Sequence, residues 1–177
     1  MTNMVIRETK IERKAMEVSI VKAEKNDLEA ILKLQKECYV IEAEIYNDYN
    51  IAPLTQDIQS LEEEFEKSAV LKAVIENKII GSARGFVENE TLYIGRLIVD
   101  KNYQNKGIGQ KLLDAMEQHF KKYARIELFT GSKSEKNLYL YNKKGYKEFK
   151  RQKINDNLSL VFLEKIIIGK NVKPAGA

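Results

Sequence analysis

Cysteine, histidine and proline are scarce in this chain of 177 residues, which holds one cysteine, one histidine and two prolines. A single Cys38 cannot close an internal disulfide, so nothing in the sequence asks for an oxidising compartment; in an apolar helical pattern it reads as a core residue. The lone His119 has no Ser, Cys or carboxylate partner motif beside it and reads as structural. No Cys/His cluster with ligand spacing exists, so no metal is expected. No apolar run approaches the ~20 residues needed to cross a bilayer. Residues Met1 to Ala15 alternate charges such as Arg7, Glu8, Lys10, Glu12, Arg13 and Lys14, and lack the apolar centre of a signal peptide. The basic excess of +4 is not organised as aromatics interleaved with lysines on one element, which argues against a nucleic-acid partner. Internal repeats and low-complexity tracts are also missing. The expectation is a cytoplasmic globular protein with no membrane and no nucleic-acid partner.

What is present fits one globular domain. Hydrophobic residues make up 44% and charged residues 32% of the chain, proportions able to build a real core at this length. A short strand is expected within Met16 to Ala23, and a helix capped by Asn26 or Asp27 running to about Tyr39. Turn chemistry from Asn47 to Pro53 precedes a second helix capped by Thr55, with Leu54, Ile58, Leu61 and Phe65 as its stripe. Val70–Glu76 and Lys78–Val87 read as strands joined at Asn77, and Glu88-Asn89-Glu90 turns into a third. Arg125–Thr130 (strand), Ser134–Lys143 (helix), Tyr146–Lys150 and Leu158–Ile168 (strands) follow. The order is β-α-α-β-β-β-α-β-α-β-β, a mixed α/β pattern. It assigns 16–168 to the domain, 1–15 to an N-terminal extension and 169–177 to a tail.

The most informative segment is Gln104-Asn105-Lys106-Gly107-Ile108-Gly109. Before it, Leu92 to Val99 is rich in β-branched and aromatic residues and reads as a strand. After it, Ile108, Leu112, Leu113, Met116 and Phe120 recur at helical spacing. A glycine-bearing turn between a strand end and a helix start offers unsatisfied N–H groups and the positive end of the helix dipole, a ready site for a phosphate or pyrophosphate. The competing motifs fail, since no third glycine completes G-x-G-x-x-G and no G-x-x-x-x-G-K-[ST] occurs.

Q-x-x-G-x-G resembles the acyl-coenzyme A signature of the GNAT acetyltransferase superfamily. Leu97-x-Val99 with Tyr103 to Leu113 resembles that family's fourth strand and third helix. Leu140-Tyr141-Asn142-Lys143-Lys144-Gly145-Tyr146 resembles its second block, L-Y-x-x-x-G-[FY]. The resemblance spans about Val18 to Lys165. It implies a single-domain α/β fold, a mixed and mostly antiparallel sheet flanked by helices and splayed at the fourth and fifth strands. It also implies acetyl-CoA as donor, with direct transfer to an amine in a ternary complex. The pantetheine arm would pair with backbone of Leu97, Ile98 and Val99, and the pyrophosphate would lie on the amides of Gln104, Asn105, Lys106, Gly107, Ile108, Gly109 and Gln110. Tyr141 would touch the coenzyme sulfur and protonate the departing thiolate as general acid, a role a phenol of pKa about 10 can fill.

Other positions depart from the family pattern. Where relatives often carry a Glu base on the fourth strand, this chain has Tyr93, so no base is assigned. Glu88 and Glu90 in the preceding turn could act through water or be solvated. The usual pantetheine-binding Asn is replaced by Ser134, which also suits a helix N-cap; Asn137 is the better coenzyme contact. Tyr139 and Tyr146 read as packing residues.

From Glu37 to Glu66 the chain carries nine acids and no Lys or Arg. In the superfamily this region commonly walls the acceptor site, and an acidic wall would attract a cationic amine. Glu42, Glu44 and Asp48, beside Tyr46 and Tyr49, are the candidates with Tyr93, whereas Glu62 to Glu66 suit a solvated face. A small cationic amine is therefore the expected acceptor, with a peptide acceptor or a non-catalytic acyl-CoA sensor as alternatives. A dimer is compatible with the sequence.

Overall fold

The computed structural model describes residues 17–167. The extension 1–15, the tail 169–177 and the outer ends of the strands expected from Met16 and to Ile168 lie outside the described residues. Seven strands form one sheet in the order β1-β2-β3-β4-β5-β7-β6. They are β1 (Ser19–Lys22), β2 (Ala69–Ile75), β3 (Lys78–Glu88), β4 (Thr91–Val99), β5 (Arg125–Gly131), β6 (Lys147–Lys153) and β7 (Ser159–Ile166). All neighbours are antiparallel except β4 and β5. Helices flank both faces: α1 (Leu28–Tyr46), the single turn α2 (Ala52–Thr55), α3 (Ile58–Lys67), α4 (Ile108–His119) and α5 (Glu135–Lys143). This is the expected single-domain α/β architecture. Among the described residues no helix is long and apolar enough to cross a membrane.

Local chemistry explains most boundaries. The turns β2–β3 and β3–β4 each place two residues at positive φ, Glu76-Asn77 and Asn89-Glu90, the conformation that matches the twist of a tight hairpin. Helix α1 outruns its expected end at Tyr39 by two turns and stops at Asn47, whose φ of 50° forms a left-handed cap. The cap of α3 is Asp57, not Thr55: its Oδ1 accepts from the Ser60 amide at 2.8 Å.

Glycines show which face each strand presents. A Cβ on Gly81 or Gly85 would meet Leu112 or Met116 of α4, so these positions of β3 face α4. Leu112, Leu113 and Met116 are fully buried there and contribute roughly 2 kcal/mol each. Arg84, next to Gly85, points the other way, to Gln35 of α1 and Glu64 of α3. On β5, a Cβ on Gly131 would lie within 2.7 Å of the Tyr46 ring. That ring cannot swing away, because its hydroxyl accepts the Lys133 amide at 2.7 Å. Gly131→Ala is therefore expected to cost about 1–3 kcal/mol through overpacking, measured as a lower urea midpoint at unchanged m-value.

The feature that makes a site is the parting of β4 from β5. They pair in parallel only through Thr91, Leu92 and Tyr93 against Arg125, Ile126 and Glu127. Beyond Tyr93 an open wedge separates them. A bulge lies at the same place: Arg84 pairs with Gly95 and Ser82 with Ile98, leaving Ala83 opposite both Arg96 and Leu97. Arg96 takes the extra residue's conformation at φ 50°, which costs an arginine about 1–2 kcal/mol.

Candidate active site

At the foot of the wedge, β4 runs through Asp100 into the loop that starts α4. The Asp100 amide donates to the Ile80 carbonyl at 2.8 Å, so by the period of two Ile98 faces β3. Leu97 and Val99 present their backbone groups to the open edge. The Val99 carbonyl is already used, accepting from Gln104 Nε2 at 3.1 Å and Cys38 Sγ at 3.5 Å. The groups left for a ligand on this edge are its N–H and the backbone of Leu97.

The loop turns at Asn105 (φ 59°) and Gly107 (φ 76°). The first intrahelical bond of α4 runs from the Lys111 amide to the Gly107 carbonyl at 3.0 Å. The amides of Ile108, Gly109 and Gln110 therefore point out of the helix end with no intrahelical acceptor. Gln104 is a strut: besides its bond to Val99, its Oε1 accepts from Lys136 Nζ at 3.3 Å, tying the loop to α5. Lys106 Nζ donates to the Asn102 carbonyl at 3.2 Å. The residues present thus fit a diphosphate on an extended arm, with bare amides at one end of an open strand edge.

Tyr141 stands at the other end. It is buried on α5, its ring 6.0 Å from that of Tyr146. Among the described residues its hydroxyl has no hydrogen-bond partner. Burial pushes its phenol above the ordinary value of 10, with Tyr39 and Glu42 pushing the same way. Tyr39 is pushed up by burial too, while Arg96 pulls it down and Glu42 pushes it up. Arg96 lies against the Tyr39 ring, its guanidinium carbon 5.9 Å from the ring centroid, and Glu42 follows Tyr39 by one turn of α1. Glu42 is fixed there by Ser134, whose Oγ donates to its Oε2 at 2.6 Å. Ser134 occupies the N-cap position of α5 but its side chain makes no capping bond. Asn137 donates to Thr130 Oγ1 at 3.2 Å, half-buried between α5 and β5.

The other acids separate cleanly. Glu44 is on the exposed side of α1, and Asp48 closes a turn by accepting the Asn50 amide at 2.9 Å. Tyr93 stacks on Phe86 with ring centroids 5.2 Å apart. Tyr139, expected to pack, is 70% exposed, while Tyr146 is fully buried. Glu64, expected on a solvated face, instead ion-pairs with the buried Arg84. Cys38, remote from both motifs in sequence, sits half-buried against β4; burial pushes its thiol up to about 11, with Asp100 and Glu37 adding to it, so it is protonated at neutral pH. His119 is exposed, edge-on to Phe120 at 5.1 Å. Among the described residues no cluster could hold a metal ion.

The raised phenols have a consequence for stability. Tyr146, whose hydroxyl donates to Glu117 at 2.9 Å, and Tyr123 are shifted upward by burial as Tyr141 is. The unfolded chain ionises these phenols near pH 10 and the folded chain does not. Stability is therefore expected to fall as pH rises past about 10, by about 1.4 kcal/mol per pH unit for each phenol. The share of the phenolate absorbance that belongs to these three buried rings should rise together with unfolding rather than ahead of it.

The sequence model of the acetyltransferase (GNAT) family matches residues 28–146. The chain belongs to the GNAT acetyltransferase family. No curated protein matches it. Its fold is that of solved family structures. An N-acetyltransferase from Staphylococcus aureus Mu50 is 21% identical, with 85% of this chain and 98% of that one covered, at a TM-score of 0.68. The ribosomal-protein-S18-alanine N-acetyltransferase from Escherichia coli is 16% identical over 89% and 99%, at 0.68. The Salmonella typhimurium protein yncA, solved with its cofactor acetyl-CoA, is 19% identical over 90% and 99%, at 0.67. In this GNAT chain the glycine loop, the wedge and Tyr141 all fall within the matched residues.

Proposed function

We propose that this GNAT chain transfers an acetyl group from acetyl-CoA directly to a primary amine of a small molecule. The observation that carries the reading is Tyr141, a buried side chain whose hydroxyl is not committed to a hydrogen bond among the described residues, on the helix that Lys136 ties to the amide-rich loop. The coenzyme supplies an activated acetyl thioester. The amides of Ile108, Gly109 and Gln110 bind and orient the diphosphate, with Lys106, Asn105 and Gln104 shaping the loop. Leu97 and Val99 form the strand edge along which the arm lies, Ile98 between them being turned to β3, and Asn137 borders it. Tyr141 Oη holds a proton that burial keeps in place, ready for the departing sulfur. The same burial makes the phenolate a good acceptor for the proton that the amine gives up.

On the acceptor side, Glu42, held at the start of α5 by Ser134, is the acid the reading relies on, whereas Glu44 lies on the exposed side of α1, Asp48 closes its own turn and Tyr93 stacks on Phe86. A small-molecule acceptor is supported by the cavity of 270 Å³ between α2–α3 and Arg96; a peptide, as the Escherichia coli relative's name implies for that protein, is the second reading. The test is calorimetry with acetyl-CoA followed by a thiol-release assay against amines, amino acids and peptides. Coenzyme binding with turnover of a small amine is expected. Turnover of peptides alone would favour the second reading. Binding without turnover of any acceptor would mark a sensor, and no binding would remove the transferase reading.

A further inference from the structure

The cavity between the α2–α3 segment and β4 contains one unpaired charge. Of its acids, Asp57 caps α3 through the Ser60 amide at 2.8 Å, and Glu64 takes Arg84 and Gln56 Nε2, the latter at 2.9 Å. Arg96 alone has no carboxylate partner among the described residues, and its Nε is buried without a hydrogen-bond partner. What it has is Tyr39, whose ring centroid lies 5.9 Å from the guanidinium carbon. Arg96 is half-buried, with only its Nε shut away from both solvent and partners. It also sits at positive φ in the bulge, although a glycine stands one position earlier. A strained arginine on the wall of a cavity points to function.

A guanidinium in want of a partner is best met by a planar anion that accepts two parallel N–H bonds, a carboxylate. The other charges on this wall are already engaged, Glu64 by Arg84 and Asp57 by the end of α3, which leaves Arg96 as the group free to take an incoming anion. Arg96 also directly precedes Leu97, where the open strand edge begins. Tyr39, against which Arg96 lies, is followed one turn later on α1 by Glu42, which Ser134 ties to the start of the helix that carries Tyr141. A cation and an acid one helical turn apart suit an amine and an acid on one small molecule. Beside Arg96 the wall is bare: a Cβ on Gly95 would meet nothing within 4 Å, and the Phe86–Tyr93 stack borders that opening.

We propose that the acceptor is a free amino acid, its carboxylate held by Arg96 and its amine directed toward Glu42 and Tyr141. This rests on the acetyl-transfer reading above. The amine nitrogen bonds to the acetyl carbon as the carbon–sulfur bond breaks. The nitrogen loses one proton, the sulfur gains one from Tyr141, and Tyr141 recovers its proton from the nitrogen side. The products are an N-acetyl amino acid and the free thiol.

The test is kcat/KM for matched pairs with acetyl-CoA: phenylalanine against phenethylamine, and methionine against its decarboxylated amine, with each amino acid's amide and a short peptide as further arms. The amino acid is expected to exceed its decarboxylated partner by roughly 10²-fold. Arg96→Gln is expected to raise the amino acid's KM by roughly 10²-fold, Arg96→Lys by less, with the KM of acetyl-CoA little changed. The wild-type comparison needs no variant to fold. Equal rates within a pair, or acetylation of amines or peptides but of no amino acid, would overturn the carboxylate assignment and leave acetyl transfer standing. Coenzyme binding with no acetylation of any member would also overturn it. Failure to bind acetyl-CoA at all would remove the transferase reading itself.

Discussion

Tyr141→Phe is expected to lower kcat for amine acetylation by about 10²–10³-fold while leaving the calorimetric affinity for acetyl-CoA nearly unchanged. The size follows from the contribution of a positioned proton donor, typically 10²–10⁴-fold. The selectivity follows from the surroundings. The ring packs against Tyr146 and stays in the phenylalanine variant, so the site keeps its shape. The hydroxyl has no partner among the described residues, so its removal orphans nothing and stability should hold or rise slightly. Because burial lifts this phenol above 10, the wild type should show no alkaline loss of kcat attributable to Tyr141 below about pH 10. An unchanged kcat in the variant, read by single-turnover thiol release, would take Tyr141 out of the proton transfer.

The largest expected loss of stability is at Arg84. Its guanidinium is 5% exposed and donates to Gln35 on α1, to Gln56 before α3 and to Glu64 on α3. Gln35 completes the network by donating to the Pro53 carbonyl and to Gln56 Oε1, both at 2.9 Å. One cation on β3 thus holds three segments of the helical layer above the wedge. Arg84→Ala leaves a cavity and two buried glutamines short of donors; Glu64, with 45% of its side chain exposed, can rehydrate. A cost of about 3 kcal/mol is expected, lowering Tm by about 6–12 °C. A drop no larger than that of an exposed substitution would show that the glutamines re-pair among themselves.

The motifs that face outward along the chain were readable, because their chemistry is local. Gln104 to Gly109 turns from strand to helix with the dihedrals its glycines and asparagine allow, and Tyr141 lies on the expected short helix. Hairpin turns at Asn77 and Asn89 followed from turn chemistry alone. What escaped was set by contacts distant in sequence. Tyr39, which no motif singles out, meets Arg96 from α1, and the helical phase of Ile31 and Gln35 carries to it. Glu64 looked like its acidic neighbours, and nothing within α3 distinguishes the one acid that reaches Arg84. The counterpart signal was on the strands: Arg84 and Arg96 are single charges inside apolar runs. A charge that survives in a strand interior has a partner or a ligand, and here one arginine has the first and the other awaits the second.

The strand order carries a consequence for how the chain is made. β7 lies between β5 and β6, both of which precede it. Every residue of β5 from Arg125 to Gly131 takes its antiparallel partner from Ser159–Ile166, and β6 has no other neighbour. On the ribosome, the far half of the sheet waits as two unpaired edges until the final described strand emerges to join them. β6 is exposed along its length and carries Lys147, Lys150, Arg151 and Lys153. Like-charged side chains of this kind discourage one nascent copy from pairing with the next during that interval. The β5 side of the wedge is thus completed only after β7 has emerged.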